Sequence, residues 1–238
     1  MFEWLAFALA MNIVWIILYT LKPHLRRKML WVSFFTALTG LTQPIFVPSY
    51  WNPPSLFNLA STTHFDIESL IFSWGAGGTG TVLYEALLDM RHRKMADPEL
   101  RRERRGLHIF SLSVMPIVFG VGFFLVGLNP IYAVTAALAL GAAAAVACRP
   151  DLLRNTLIGG LLFLSLYFAT FFIFIQIFPS FIQAWNLTAL TGVLVLGVPL
   201  EELMYAFTFG MMWSGVYEHI RHYALSYSKS GPKSEENR

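Results

Sequence analysis

Val198-Pro199-Leu200-Glu201-Glu202-Leu203-Met204-Tyr205, running on to Tyr217-Glu218, sets two adjacent carboxylates just after a proline at the head of an otherwise apolar segment. Charge is costly inside a bilayer, so acids placed there are functional candidates by default. The stretch has an echo 133 residues earlier: without a gap, Glu68 aligns with Glu201, Leu70 with Leu203, Gly77 with Gly210, Tyr84 with Tyr217 and Glu85 with Glu218. The chain reads as two copies of one unit, each ending in an acid-headed helix.

Composition points to a membrane protein. Of the 238 residues 56% are apolar and 13% charged, about half the charged share of a soluble domain. Apolar runs near 4–21, 29–47, 66–88, 107–128, 131–148, 156–178 and 199–220 are long enough to cross a hydrocarbon layer of about 30 Å. The expected fold class is therefore all-α, a polytopic bundle of seven transmembrane helices in a 3+1+3 tandem duplication. Its parts are a first repeat with its cytoplasmic loop (1–106), a linker helix (107–130), a second repeat (131–224) and a disordered tail (225–238).

Charge sets the orientation. The net charge of +3 comes from basic clusters after the first, third, fifth and seventh runs, such as Lys22, Arg26, Arg27 and Lys28, while 48–64, 129–130 and 179–187 hold no Lys or Arg. The positive-inside rule then puts the N-terminus outside and the C-terminus in the cytoplasm of a multi-pass cell-membrane protein. Three spans plus one linker give the two copies the same orientation. No basic surface joins the clusters, which argues against nucleic acid as a partner. Cys148 is the single cysteine, so no intrachain disulfide forms, and Glu3 without a basic n-region argues against a signal peptide.

Smaller features have ordinary readings. Asn12 and Gln43, inside apolar runs, are read as interhelical hydrogen-bonding groups, and residues 89–106 as a solvated loop. Leu187 to Val198 would make the last helix too long, so it is read as a short interfacial or re-entrant segment, with Pro199 suited to a new helix's first turn. Gly75-Ala76-Gly77-Gly78-Thr79-Gly80 satisfies G-x-G-x-x-G but lies within an apolar helix, which suits close packing rather than a nucleotide. His219 and His222 beside Glu218 have a spacing that could seed a metal site, yet cations also suit a helix C-terminus. No metal is assigned and no cofactor is demanded. Glu85 and Glu218, about 25 Å further along their helices than Glu68 and Glu201, are placed at the inner headgroups. The candidate acids are Glu201, Glu202 and Glu68.

Trp185-Asn186, Thr191-Gly192, Gly197-Val198-Pro199-Leu200-Glu201-Glu202 and the aromatic-rich helix after them resemble the lycopene cyclase domain family, with a weaker match at 51–87. This is the integral-membrane type found as two small subunits or one fused chain. The resemblance implies a redox-neutral isomerisation. An acid protonates the terminal double bond of lycopene, a nearby double bond attacks the tertiary cation, and a proton leaves. A carboxyl group in apolar surroundings keeps its proton more readily, as such an acid must. Aromatic faces at Tyr205, Phe207, Trp213, Phe72 and Trp74 are the expected substrate-binding groups, since ring faces stabilise cations. The implied partners are a lipophilic polyene drawn from the bilayer, membrane lipids and a further copy of the chain as a homo-oligomer. The first copy departs from the pattern: Phe65-Asp66-Ile67-Glu68-Ser69 lacks the proline and the second glutamate. Two other readings fit the same outline, a small transporter with parallel repeats and a membrane protein that binds carotenoid without cyclising it.

Overall fold

The computed structural model describes residues 2–95 and 105–227. Its long elements are α1 (Glu3–Leu21), α2 (Arg26–Thr39, prolonged by turns at Gly40–Thr42 and Gln43–Phe46), α3 (Ile67–Gly80), α4 (Leu83–Leu88), α5 (Arg105–Gly120, prolonged by a π-helical turn at Val121–Leu125), α6 (Pro130–Cys148), α7 (Leu153–Ile177) and α8 (Leu200–Arg221). Strands β1 (Met90–Lys94), β2 (Leu194–Val195), β3 (Val198–Pro199) and β4 (Tyr223–Tyr227) form two antiparallel pairs, β1 with β4 and β2 with β3. The protein is mostly helical, and the two small ribbons are additions to the all-α expectation.

Each addition has a local cause. Leu196 and Gly197 both have positive φ, 51° and 87°, the backbone of a tight two-residue hairpin turn, so the stretch before Pro199, expected as a short interfacial or re-entrant segment, ends in a small ribbon. Its Val193 and Leu196 side chains are exposed. The charged stretch after α4 is drawn into β1 by pairing with residues 223–227, which orders residues 225–227; the rest of the expected tail lies outside the described residues. The expected helix 66–88 breaks at Thr81-Val82 into α3 and α4.

Lipid-facing character is plain on the outside. Glu3–Leu21, Pro23–Phe46, Pro130–Cys148 and Pro150–Ile177 are long and apolar enough to cross a membrane, and Phe110–Leu125 is a shorter apolar helix. Large apolar side chains such as Ile13, Trp31, Phe34, Phe35, Phe124 and Ile173 point outward, as those of a membrane protein do. α3 and α8 fall short of a simple span by the break in one and the acids in the other.

Packing is alike in the two halves. α3 lies against α1 and α2, and α8 against α6 and α7. A Cβ on Gly77 would stand 2.3 Å from Thr36 Oγ1 and one on Gly210 2.6 Å from Phe163 Cβ, so each glycine lets its helix backbone approach its neighbour closely. The glycine motif of α3 is thus a packing face. Asp66 starts α3 by accepting from Ser69 N at 2.6 Å, and it also takes the indole N–H of Trp4 at 3.0 Å. The halves meet through an aromatic core in which Phe7 and Phe171 rings lie 5.5 Å apart and Phe171 and Trp185 rings 5.2 Å apart. Trp51 and Trp185 join their backbones in an isolated antiparallel bridge, with rings 5.3 Å apart.

Candidate active site

Glu202 lies in the first turn of α8 and is 5% exposed. One carboxylate oxygen accepts from Trp185 Nε1 at 2.8 Å and from the Tyr50 hydroxyl; the other accepts from the Tyr167 hydroxyl. Trp185 Nε1 also lies 3.0 Å from the Tyr50 hydroxyl. These donors come from the loop after α2, from the middle of α7 and from the loop before α8, so three separate segments converge on one carboxyl group.

The group opens on a cavity of about 160 Å³ between the halves. Glu202, Tyr205, Phe209 and Trp213 form one wall, because positions at i, i+3, i+7 and i+11 share a helix face. The Phe209 and Trp213 rings stack at 4.4 Å and the Tyr205 and Phe209 rings stand 5.6 Å apart. Phe72 and Ser69 of α3 and Gln43 of the turn after α2 complete the opposite side. Gln43 is 7% exposed, and its Nε2 has no hydrogen-bond partner among the described residues. Asn12, by contrast, bridges helices by donating to Ile71 O at 2.9 Å.

The three candidate acids are not one constellation. Glu201, one residue round the helix, accepts from Thr191 N, Thr191 Oγ1 and the Tyr132 hydroxyl, each at 2.8 Å. Glu68 accepts from Leu56 N at 2.6 Å. Both therefore hold the loop that precedes their own helix, and neither lines the cavity. Of the candidate aromatics, Phe72, Tyr205 and Trp213 line it. Phe207 instead faces α7, where its ring would stand 3.0 Å from a Cβ on Gly160, and Trp74 packs 5.9 Å from Trp15. Tyr50, Tyr167 and Phe209 were not among the sequence candidates. Trp185 is legible through Trp185-Asn186 in the family resemblance, and nothing in the apolar run of α7 marks Tyr167.

A second charged cluster sits at the other end of the bundle. Glu85 and Glu218 are both 0% exposed, enclosed by protein at this end of their helices. They converge on Lys28 of α2, which is 2% exposed and donates to Glu218 at 2.6 Å and to Glu85. His92 of β1 reaches the same carboxylates, 3.0 Å from Glu85 and 2.7 Å from Glu218. Burial opposes the charged imidazole, but hydrogen bonds and charge from Glu218 and Glu85 outweigh it and push His92 up to about 9. Ligand atoms of Glu85, His92 and Glu218 lie within 4.8 Å of one another, a spacing open to a cation. Lys28 Nζ already supplies positive charge there, and with His92 protonated the two acids are balanced. The neighbouring His219 bonds to Ser111 at 2.9 Å, while His222 terminates α8 in the left-handed region.

Residues 129–220 match the family model described as lycopene cyclase. The matched segment runs from the cap of α6 nearly to the end of α8 and contains Tyr167, Trp185 and Glu202, while Tyr50 and the α3 side of the cavity lie outside it. Neither curated proteins nor solved structures give a match. The segment that builds three of the four members of the Glu202 hydrogen-bonded group, residues 129–220, is thus the part of the chain that is similar to the lycopene cyclase family.

Proposed function

We propose that this protein is a carotenoid cyclase that closes a ring at the end of lycopene or a closely related acyclic polyene, with Glu202 as the proton donor. The observation that carries the reading is a single buried carboxyl group opening on an aromatic-walled cavity of about 160 Å³. A cavity of about 150 Å³ takes one benzene ring, so the space suits one cyclising end group.

The chemistry runs as a redox-neutral isomerisation. Glu202 gives its proton to the terminal double bond; the O–H bond breaks and a C–H bond forms, leaving a tertiary carbocation. A double bond further along the chain, folded back by the cavity walls, attacks that carbon and moves the charge into the new ring. A proton on an adjacent carbon then returns to the Glu202 carboxylate. Tyr50, Tyr167 and Trp185 donate to that carboxylate and so stabilise it most when it is charged, which is when the cation exists. Tyr205, Phe209, Trp213 and Phe72 present ring faces to the cation. The apolar lining keeps out water that would trap it.

The same reading includes seven spans, an external N-terminus and a tandem duplication. Paired contacts support it: Gly77 on Thr36 and Gly210 on Phe163, Glu68 on Leu56 N and Glu201 on Thr191 N, and 3-10 turns at Pro23–Leu25 and Pro150–Leu152 leading into α2 and α7. The Glu202 cavity then lies toward the outer face, beside the loops without Lys or Arg. The substrate enters from the bilayer.

Turnover in deuterated water tests the reaction type. Purified protein in lipid should convert lycopene to a cyclic product of unchanged carbon skeleton size carrying a single deuterium per ring. In a single turnover by protein already equilibrated in deuterated water, a cyclic product without deuterium rules out proton initiation, and no cyclic product from any acyclic carotenoid rules out the cyclase itself.

A further inference from the structure

The acid cavity has a neighbour. A groove of about 460 Å³ runs between α2 and α8 on the opposite side of Trp213, which lines both spaces. Phe35 and Trp31 of α2 form one bank and Val216 and Ile220 of α8 the other, with Arg221 at the far end. Its walls are otherwise almost wholly apolar. The junction is built: Trp213 Nε1 donates to Thr36 Oγ1 at 2.6 Å and the indole stacks on Phe209. Trp213 is thereby fixed between the two spaces and lines both.

Geometry along α8 links the two. Glu202 heads the helix and Arg221 ends it, a separation of about 28 Å at 1.5 Å per residue, close to the roughly 30 Å depth of a hydrocarbon layer. The cavity holds little more than one ring, so the rest of a long polyene must lie elsewhere. The groove is apolar, and Trp213, on the same helix as the acid, lines both it and the cavity. Phe35, Trp31 and Ile220 are about half exposed, so its outer side is open to lipid.

Resting on the cyclase reading, we propose that the groove between α2 and α8 binds the linear arm of the polyene, held by Trp31, Phe35, Val216 and Ile220, while Trp213 and Thr36 mark where the reacting end turns into the acid cavity. The bound arm would set which carbon reaches Glu202, making this groove the determinant of chain length and the cavity the determinant of end-group shape.

Binding to the E202Q protein, which holds substrate without consuming it on the proposed mechanism, separates this proposal from the reaction. E202Q in lipid nanodiscs is titrated with lycopene and with a short acyclic terpenoid bearing the same end group. Adding V216W, which fills the groove, should weaken lycopene binding roughly tenfold, as losing about two methylenes' worth of contact would, and leave the short ligand unchanged. I220W, at a lipid-exposed position that leaves the core untouched, should do the same. Lycopene affinity unchanged in both variants overturns the groove assignment, as does an equal loss of both ligands in I220W or no lycopene binding by E202Q. Lycopene bound in the groove by a parent protein that makes no cyclic product would retain this proposal and discard the cyclase reading.

Discussion

Ser69 and Glu202 face each other across one cavity, each one residue after the glutamate that anchors its own preceding loop. Of the two, only Glu202 is an acid, so the cavity is lined by one carboxyl group where the sequence pattern has two acid-headed helices. Ser69 Oγ has no hydrogen-bond partner among the described residues, and removing it orphans no other group. Ser69→Ala should keep cyclisation near the parent rate and leave thermal stability unchanged or slightly raised, as product chromatography and a melting curve in detergent would show.

Glu201 and Glu68 should behave as loop anchors. Glu201→Ala leaves the N–H of the exposed Thr191 and the hydroxyl of the half-buried Tyr132 without their acceptor, a loss of about 0.5–1.5 kcal/mol per hydrogen bond. The expected outcome is a clear loss of thermal stability for Glu201→Ala and a smaller one for Glu68→Ala. Protein that remains folded should still cyclise. A folded, stable Glu201→Ala protein without activity would move the acid role to Glu201.

Lys28 stands between two buried carboxylates contributed by opposite halves of the chain. Lys28→Met leaves those acids uncompensated, and breaking a buried pair costs about 3–5 kcal/mol. The variant should accumulate poorly in membranes. Adding Glu85→Gln and Glu218→Gln together should restore much of the yield, whereas a stable Lys28→Met protein would show that the cluster does not hold the helices.

His92 makes that cluster sensitive to pH. Its pKa is raised from 6.5 to about 9, so the protonated imidazole stabilises the folded state. That contribution is fully present below pH 6.5 and is lost as pH rises through about 9. Melting temperatures in detergent should fall across this window, and His92→Asn should flatten the fall. An unchanged slope in the variant would assign the titration to another group.

The acid-headed helices were legible because charge stands out in apolar sequence, and the stripe Glu202, Tyr205, Phe209 and Trp213 follows helical periodicity. Choosing between Glu201 and Glu202 was not possible. The two differ by about 100° of helix rotation, and what each side faces is set by segments far away in the chain. Glu202 meets Tyr50 and Tyr167 at sequence separations of 152 and 35. Glu218 reaches Lys28 across 190 residues, which a count of turns along α8 cannot show. The hairpin before Pro199 is hidden in composition alone, since its Leu-Val and Val-Pro residues equally suit an irregular interfacial or re-entrant segment; the positive φ of Leu196 and Gly197 sets the turn.

Glu202→Gln tests the proton donor most directly. Gln is nearly the same size, and its Oε1 can still accept from Tyr50 and Trp185 while its Nε2 donates to the Tyr167 hydroxyl, but it has no carboxyl proton to give. Ring formation from lycopene, measured per folded protein in the same lipid as the parent, should drop by about 10²–10⁴-fold with the melting temperature little changed. Cyclisation by a well-folded Glu202→Gln protein at the parent rate would contradict the account.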